Sequence, residues 1–190
     1  MCVIIACRTR WPSPRILRQC EEANPHGGGL AWLNSKTGRV SFVKGLDHEA
    51  VAHLIESGEV ELPAVIHFRI TTAGSTCAEL CHPFPVEPNS RLDLSGSAER
   101  VLFHNGHWRG WHDHHGTLQG KCSDTRVMAH LASSGTCPEE VEMICESFVE
   151  EGGAGRIATL GEEGILLFGK WVAKEGLAFS NTYWVTNRRY

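Results

Sequence analysis

The most chemically suggestive residue in this sequence is Cys2, which directly follows Met1. Once Met1 is removed, Cys2 carries a thiol and a free α-amine on the same residue. An α-amine has a pKa of about 7.7–8.0, so it can accept a proton at neutral pH. Such a residue supplies nucleophile and base together, without help from a second side chain. The alternative is that Cys2 only begins a buried strand.

A second reactive position follows the apolar run 101–104, where Asn105 and Gly106 stand at its end. The Asn105 side-chain amide and the Gly106 backbone N–H could stabilise a developing negative charge on oxygen, which is the task of an oxyanion hole. Asn-Gly is also a common pair in β-hairpin turns. An ordinary turn is therefore the alternative explanation of this pair.

Apolar runs and helix signals along the chain predict the elements that must position these residues. Runs rich in β-branched residues predict strands, and Ser13 before Pro14, Asp47 and Ser123 are typical helix caps. Because strands cluster towards both ends with helices between them, the expected fold is one α+β domain spanning residues 1–190. The glycines at 27–29 are expected to let their strand pass close to the N-terminal residue. Strands are predicted at 3–6, 28–33, 39–43, 63–69, 100–104, 156–160, 165–168 and 182–186, and a long surface loop at 87–99.

The composition predicts a globular protein and argues against several partners. Of the 190 residues, 42% are hydrophobic and 21% are charged, and the formal net charge is −4. There is no basic stripe that would indicate binding to nucleic acid or to an anionic membrane surface. No signal peptide or membrane span is predicted. The eight cysteines contain no C-x-x-C pair, so reduced thiols in the cytoplasm are expected.

Five segments of the sequence together resemble the class II glutamine amidotransferase domain, a member of the N-terminal-nucleophile hydrolase superfamily. They occur in the order of that family and fall within residues 1–130. The resemblance implies a four-layer α/β/β/α sandwich that works without a cofactor. The segments are Met1-Cys2-Val3-Ile4; Asn24-Pro25-His26-Gly27-Gly28-Gly29-Leu30-Ala31-Trp32; His67-Phe68-Arg69-Ile70-Thr71-Thr72 with Cys81-His82-Pro83; Phe103-His104-Asn105-Gly106; and Ser123-Asp124-Thr125.

The resemblance implies three catalytic positions. Cys2 matches the nucleophile, and Asn105 with Gly106 matches the oxyanion hole. The implied reaction is a double displacement, in which Cys2 forms a γ-glutamyl thioester with glutamine and releases ammonia. Water then releases glutamate from that thioester.

The resemblance also assigns four positions to the binding of glutamine. Arg69 matches the residue that pairs with the α-carboxylate, a task suited to a forked guanidinium. Thr72 would assist at that carboxylate, and Asp124 matches the acid that holds the α-ammonium. His82 matches a histidine that lines the glutamine pocket.

The sequence departs from the family pattern at two positions near these residues. Arg126 stands where members often carry an acid, and Ala73 stands where some carry histidine. Arg126 is expected to place positive charge near the ammonium side of the substrate. The leading interpretation is a glutaminase that supplies ammonia to a separate synthase. The alternatives are a stand-alone amidohydrolase acting on a γ-glutamyl or other amide, and a catalytically silent binding module.

A metal site is a weaker interpretation of two residue clusters. His112, His114 and His115 follow the Asn-Gly pair closely, but adjacent histidines on an extended segment point in opposite directions. The second cluster, Cys77, Cys81 and His82, lacks a further ligand pair at a spacing typical of zinc sites. No metal site is therefore predicted.

Overall fold

The computed structural model describes residues 2–150 and 155–186 of the chain, so Met1 lies outside the described residues. The strands are β1 (Val3–Cys7), β2 (Gly28–Asn34), β3 (Arg39–Leu46), β4 (Ala64–Phe68), β5 (Phe84–Pro85), β6 (Ser95–Ala98), β7 (Val101–Asn105), β8 (Arg156–Gly161), β9 (Gly164–Phe168), β10 (Val172–Lys174) and β11 (Leu177–Phe179). The helices are α1 (Pro14–Ala23), α2 (His48–Ser57), α3 (Asp124–Ala132), α4 (Pro138–Glu150) and α5 (Tyr183–Thr186).

These elements form two antiparallel sheets. The larger sheet has seven strands in the order β10-β11-β1-β4-β2-β3-β6, and the smaller has four in the order β5-β7-β8-β9. Each pairing between neighbouring strands is antiparallel. The mixture of helices with antiparallel sheets confirms the predicted α+β class.

Three layers of apolar side chains hold the sheets and helices together. Val3 of β1 packs with Leu17 of α1 on the outer face of the seven-stranded sheet, where α2 and α5 also lie. Successive strand residues point to opposite faces, so Ile4 packs between the sheets with Phe103 of β7. Leu102 of β7 packs against α3 and α4 on the far side. The order is therefore helices, sheet, sheet, helices, as predicted.

The helix signals in the sequence act where they were expected. The Ser13 hydroxyl accepts a hydrogen bond from the Ile16 N–H at 3.4 Å and caps α1. The Asp47 carboxylate accepts from the Ala50 N–H at 2.7 Å and caps α2. Such side-chain acceptors satisfy N–H groups that the first turn of a helix leaves without partners.

The C-terminal part differs from the sequence prediction. Residues 182–186 were expected to form a strand, but Tyr183–Thr186 is the short helix α5. Trp184 on this helix lies 4.9 Å from the Phe179 ring, between centroids, and its indole N–H donates to the Asn181 carbonyl at 3.1 Å. Packing of that large side chain outweighs the β propensity of the aromatic and β-branched residues.

Four short strands were also missed by the sequence prediction: β5, which pairs with β7, together with β6, β10 and β11. Strand β6 lies within the expected surface loop 87–99 and pairs with β3 at the edge of the larger sheet. Strands β10 and β11 form a hairpin whose two-residue turn, Glu175 and Gly176, has positive φ angles of 53° and 75°. Positive φ at both turn residues matches the right-handed twist of paired strands.

The glycine-rich start of β2 makes room for the segment that contains His82. A Cβ atom at Gly29 would lie 1.8 Å from the His82 carbonyl oxygen, and one at Gly27 would lie 2.8 Å from the Cys81 sulfur. The prediction that these glycines make room for the N-terminal residue is therefore wrong. They allow β2 to approach the segment that follows β4.

The sheet register brings the predicted site residues to one end of the sandwich. Val3 at the start of β1 pairs with Phe68 at the end of β4, so Cys2 and Arg69 emerge at the same edge. Gly28 at the start of β2 also pairs with Phe68. Within the described ranges, no helix combines the length and apolar character that a membrane crossing requires.

Candidate active site

The predicted site residues converge on a recess at this end of the sandwich. Its walls come from the start of β1, the loop after β4, the end of β7 and the first turn of α3. Its lining residues are Cys2, Arg69, Ile70, Thr72, Ala73, His82, His104, Gly106, Ser123, Asp124 and Thr125. Asn105 is the one predicted site residue that does not line it.

Cys2 places its sulfur against the backbone of the segment that follows β4. The thiol lies 3.3 Å from the Ile70 carbonyl oxygen, to which it donates, and 3.4 Å from the Ile70 nitrogen, whose N–H it accepts. Burial raises the pKa of the Cys2 thiol above its ordinary value. The thiol is therefore neutral near pH 7, and a base must take its proton before it can attack.

Asn105 ends β7 and Gly106 follows it, but the two residues differ in their contacts. Gly106 lines the recess, whereas Asn105 is fully buried behind it. The Asn105 amide nitrogen donates to the Ser180 hydroxyl at 2.8 Å. An amide nitrogen carries two N–H groups, so one remains beyond this bond.

Arg69 is buried at the wall of the recess, and its guanidinium holds the neighbouring loop. One terminal nitrogen donates to the Ser75 carbonyl and the other to the Ala73 carbonyl, both at 2.9 Å. A guanidinium has five N–H groups, so three remain beyond these two bonds. Thr72 lies in the loop between Arg69 and these two carbonyl groups, and its side chain is exposed at the rim of the recess.

Asp124 presents a buried carboxylate in the first turn of α3. Its Oδ2 accepts from the Trp108 N–H at 3.2 Å, and its Oδ1 accepts from the Thr125 N–H at 2.9 Å. The Nδ1 atoms of His104 and His107 each lie 3.7 Å from Oδ2. The positive end of the helix dipole stabilises a negative carboxylate at this position.

His82 lines the recess in the neutral form and packs against a second buried histidine. The rings of His82 and His67 have centroids 3.9 Å apart. Burial lowers the pKa of both imidazoles well below the ordinary histidine value. The His104 backbone N–H donates to Nδ1 of His82 at 3.5 Å, so the His82 proton is on Nε2.

Arg126 does not line the recess, and the expectation that it charges the ammonium side is wrong. Its guanidinium is buried under two loops and donates to four backbone carbonyls. The acceptors belong to Ser90 at 2.8 Å, Asn89 at 2.8 Å, Gln119 at 2.7 Å and Lys121 at 2.6 Å. Arg126 thus ties these loops together.

The clusters considered for metal binding do not assemble into a metal site among the described residues. No group of three or more histidine, cysteine or acidic side chains in these residues could hold an ion. The side chain of His115 lies outside the described residues. All eight cysteines are free thiols.

A larger groove lies at the opposite end of the sandwich, where β2 ends and β7 begins. Its volume is about 830 Å³, and charged side chains line it. Arg39 pairs with Glu99 at 3.3 Å, and Arg100 pairs with Glu163 at 3.0 Å. These cations are already paired, and the thiol that lines the groove, Cys137, lies within the chain and so has no free α-amine on the same residue.

Four residues near the site had no role in the sequence prediction. His104 and His107 lie beside Asp124, while Ser180 and Asn181 contact Asn105 and the Cys2 carbonyl. The histidines adjoin the Asn-Gly pair, so proximity along the chain could have identified them. Ser180 and Asn181 carry no local signal, because only the pairing of β11 with β1 brings them to the site.

The fold agrees with that of known glutamine amidotransferases. No protein-family model and no curated protein sequence matches this chain. One solved structure, glutamine phosphoribosylpyrophosphate (PRPP) amidotransferase from B. subtilis complexed with ADP and GMP, aligns with a TM-score of 0.62 and 16% identity. The alignment covers 98% of this chain and 43% of that chain.

A second solved structure is described as the allosteric regulatory enzyme of purine biosynthesis. It aligns with a TM-score of 0.50 and 17% identity, over 87% of this chain and 48% of that chain. This chain therefore spans less than half the length of either neighbour. At these identities the likeness establishes the fold, and it agrees with the predicted four-layer arrangement of helices and sheets.

Proposed function

We propose that residues 1–190 form one glutamine amidotransferase type 2 domain, which hydrolyses glutamine with Cys2 as the nucleophile. The observation that carries this proposal is the recess, where a thiol, an arginine and a carboxylate meet. Cys2, Arg69 and Asp124 all line it. A free amino acid needs partners for both of its main-chain charges inside a protein, and these two charged side chains supply them.

In the first step, the Cys2 sulfur attacks the γ-amide carbon of glutamine. The thiol proton passes to the α-amine that removal of Met1 exposes, and from there to the departing ammonia. The remaining N–H of the Asn105 amide and the Gly106 N–H hold the negative oxygen. Collapse of this intermediate breaks the carbon–nitrogen bond and leaves a γ-glutamyl thioester on Cys2.

In the second step, a water molecule attacks the thioester carbon and gives its proton to the same α-amine. Breakage of the carbon–sulfur bond returns the proton to the Cys2 sulfur and releases glutamate. The raised pKa of the Cys2 thiol fits these two steps. A neutral thiol must lose its proton to the amine in the first step, and the departing sulfur takes a proton back from it in the second.

The substrate is held through its two main-chain charges. Arg69 pairs with the α-carboxylate and Thr72 assists at the rim, while Asp124 holds the α-ammonium. His82 has its proton on Nε2, and this N–H is the group that it can offer inside the recess.

We further propose that the released ammonia is used by a synthase, provided as a separate protein in the cytoplasm. The first structural neighbour is named as an amidotransferase for glutamine and PRPP. We extend only the use of glutamine to this chain, because Arg69 and Asp124 in the recess suit the two main-chain charges of an amino acid.

One assay tests the proposal against its alternatives. The protein and its Cys2→Ala variant are incubated with glutamine and with a series of other γ-glutamyl amides, and ammonia and glutamate are measured. We expect glutamine turnover that Cys2→Ala abolishes. Turnover of other amides alone would favour the stand-alone amidohydrolase. A protein that turns over none of these substrates would be a binding module, and the proposal would be wrong.

A further inference from the structure

Ser180 lies directly after β11 and is fully buried beside the start of β1. Its hydroxyl oxygen accepts two hydrogen bonds, from the Ile4 N–H at 2.9 Å and from the Asn105 amide nitrogen at 2.8 Å. Its own backbone N–H donates to the Ile4 carbonyl at 3.0 Å. Ser180 is therefore fixed to β1 and is not free to follow movements of Asn105.

The orientation of the Asn105 amide depends on this serine. The carboxamide group of asparagine rotates about a broad torsional minimum, so a hydrogen bond is needed to hold it at one angle. In the part of the chain that the structure describes, the Asn105 Oδ1 atom has no hydrogen-bond partner. The bond to Ser180 is thus the side-chain contact that holds the amide group at its angle.

The neighbouring residue contacts the nucleophile. The Asn181 amide nitrogen donates to the Cys2 carbonyl at 2.6 Å. Two consecutive residues therefore bind the two halves of the site, although the chain separates them from Cys2 and Ile4 by more than 170 residues. One short segment after β11 therefore contacts both the backbone of Cys2 and the side chain of Asn105.

We propose that Ser180 is a positioning residue, which orients the Asn105 amide so that an N–H group points at the oxyanion. The inference rests on the proposed glutaminase function. The oxyanion exists only during the reaction, so loss of orientation should lower kcat and leave KM nearly unchanged. A serine that only stabilised the fold would lower the amount of active protein, without linking its effect to Asn105.

The test is a double-mutant cycle in glutamine hydrolysis with Ser180→Ala, Asn105→Ala and the double variant. Ser90→Ala is the matched control, because Ser90 is equally buried and its hydroxyl donates to the Pro85 carbonyl away from the recess. We expect Ser180→Ala to lower kcat by up to roughly 10²–10³-fold, the loss known for removal of one oxyanion donor. The double variant should be no slower than Asn105→Ala alone.

The possible results separate the inference from the function on which it rests. If wild-type protein turns over glutamine but Ser180→Ala behaves like Ser90→Ala, or the two losses multiply, the role of Ser180 is refuted while the proposed function stands. If wild-type protein does not turn over glutamine, both are refuted.

A measurement on wild-type protein covers the case in which Ser180→Ala does not fold. In NMR spectra assigned with Asn105→Ala, one Asn105 side-chain N–H should exchange with solvent more slowly than the other, because it is bonded to Ser180. Equal and fast exchange of both protons would contradict the proposal.

Discussion

At the scale of single residues, the site depends on the partners that hold each side chain. The structure brings Cys2, Arg69 and Asp124 into one recess. The sequence did not predict that Arg69 would hold the Ala73 and Ser75 carbonyls or that Arg126 would point away from the recess. The direction of a side chain depends on partners from distant segments of the chain. The spacing of residue types along the sequence does not identify those partners.

The oxyanion role of Asn105 predicts a large loss of rate on substitution. Asn105→Ala should lower kcat for glutamine about 10²–10³-fold with little change in KM, because the lost donor acts only on the transition state. Steady-state kinetics beside Asn34→Ala, a change at the last residue of β2 and far from the recess, would measure this. A kcat near the wild-type value would remove Asn105 from the oxyanion hole.

The ammonium role of Asp124 predicts a defect that depends on the substrate. Asp124→Asn should lower kcat/KM for glutamine about 10–100-fold, which corresponds to the loss of one hydrogen bond between charged groups. It should have far less effect on the monoamide of glutaric acid, which lacks the α-ammonium. Asp113→Asn, in an exposed turn, is the control. Equal losses for both substrates would contradict the assignment.

At the scale of elements, prediction succeeded where local signals determine structure and failed where pairing between distant segments does. Capped helices and apolar strands were found, because their signals lie within a few residues. Strand β6 was missed, because Ser95, Gly96 and Ser97 are exposed and only Ala98 is buried. That segment becomes a strand through its pairing with β3.

The loop-binding role of Arg126 predicts a loss of stability rather than of chemistry. Arg126→Met leaves four carbonyl groups without their donor, so the free energy of unfolding should fall by at least about 2 kcal/mol. Urea denaturation would measure this beside Arg18→Met, which removes an exposed pair with Glu22. Folded Arg126→Met should keep the wild-type KM for glutamine. A raised KM with unchanged stability would place Arg126 at the site.

The close approach of β2 to His82 predicts that Gly29 tolerates no side chain. Gly29→Ala must move the His82 backbone, because its Cβ would lie 1.8 Å from that carbonyl oxygen. Both stability and glutaminase activity should therefore fall. Gly116→Ala is the control, since its Cβ meets no atom within 4 Å. A Gly29→Ala protein with wild-type stability would contradict the contact.

At the scale of the whole molecule, the buried pair of His67 and His82 links folding to pH. Burial lowers the pKa of both below the ordinary value of about 6.5, so they stay neutral when folded and take up protons when unfolded. The free energy of unfolding should therefore fall as the pH drops from about 7 to 5. Each histidine contributes up to about 1.4 kcal/mol per pH unit.

Comparison of two variants isolates this contribution. His67→Leu should reduce the pH dependence of the unfolding free energy between pH 5 and 7, whereas His53→Leu on the exposed face of α2 should not. Urea denaturation at several pH values measures both slopes. Equal slopes in the two variants would contradict a lowered pKa of His67 in the folded protein.

The central claim is that Cys2, as the first residue of the mature chain, forms a thioester with glutamine. The most direct test is to quench wild-type protein with acid during glutamine turnover and to map its peptides by mass spectrometry. We predict an N-terminal peptide that begins at Cys2, with a fraction carrying one γ-glutamyl group on its sulfur. Full turnover by protein that retains Met1, or an adduct on another residue, would contradict the claim.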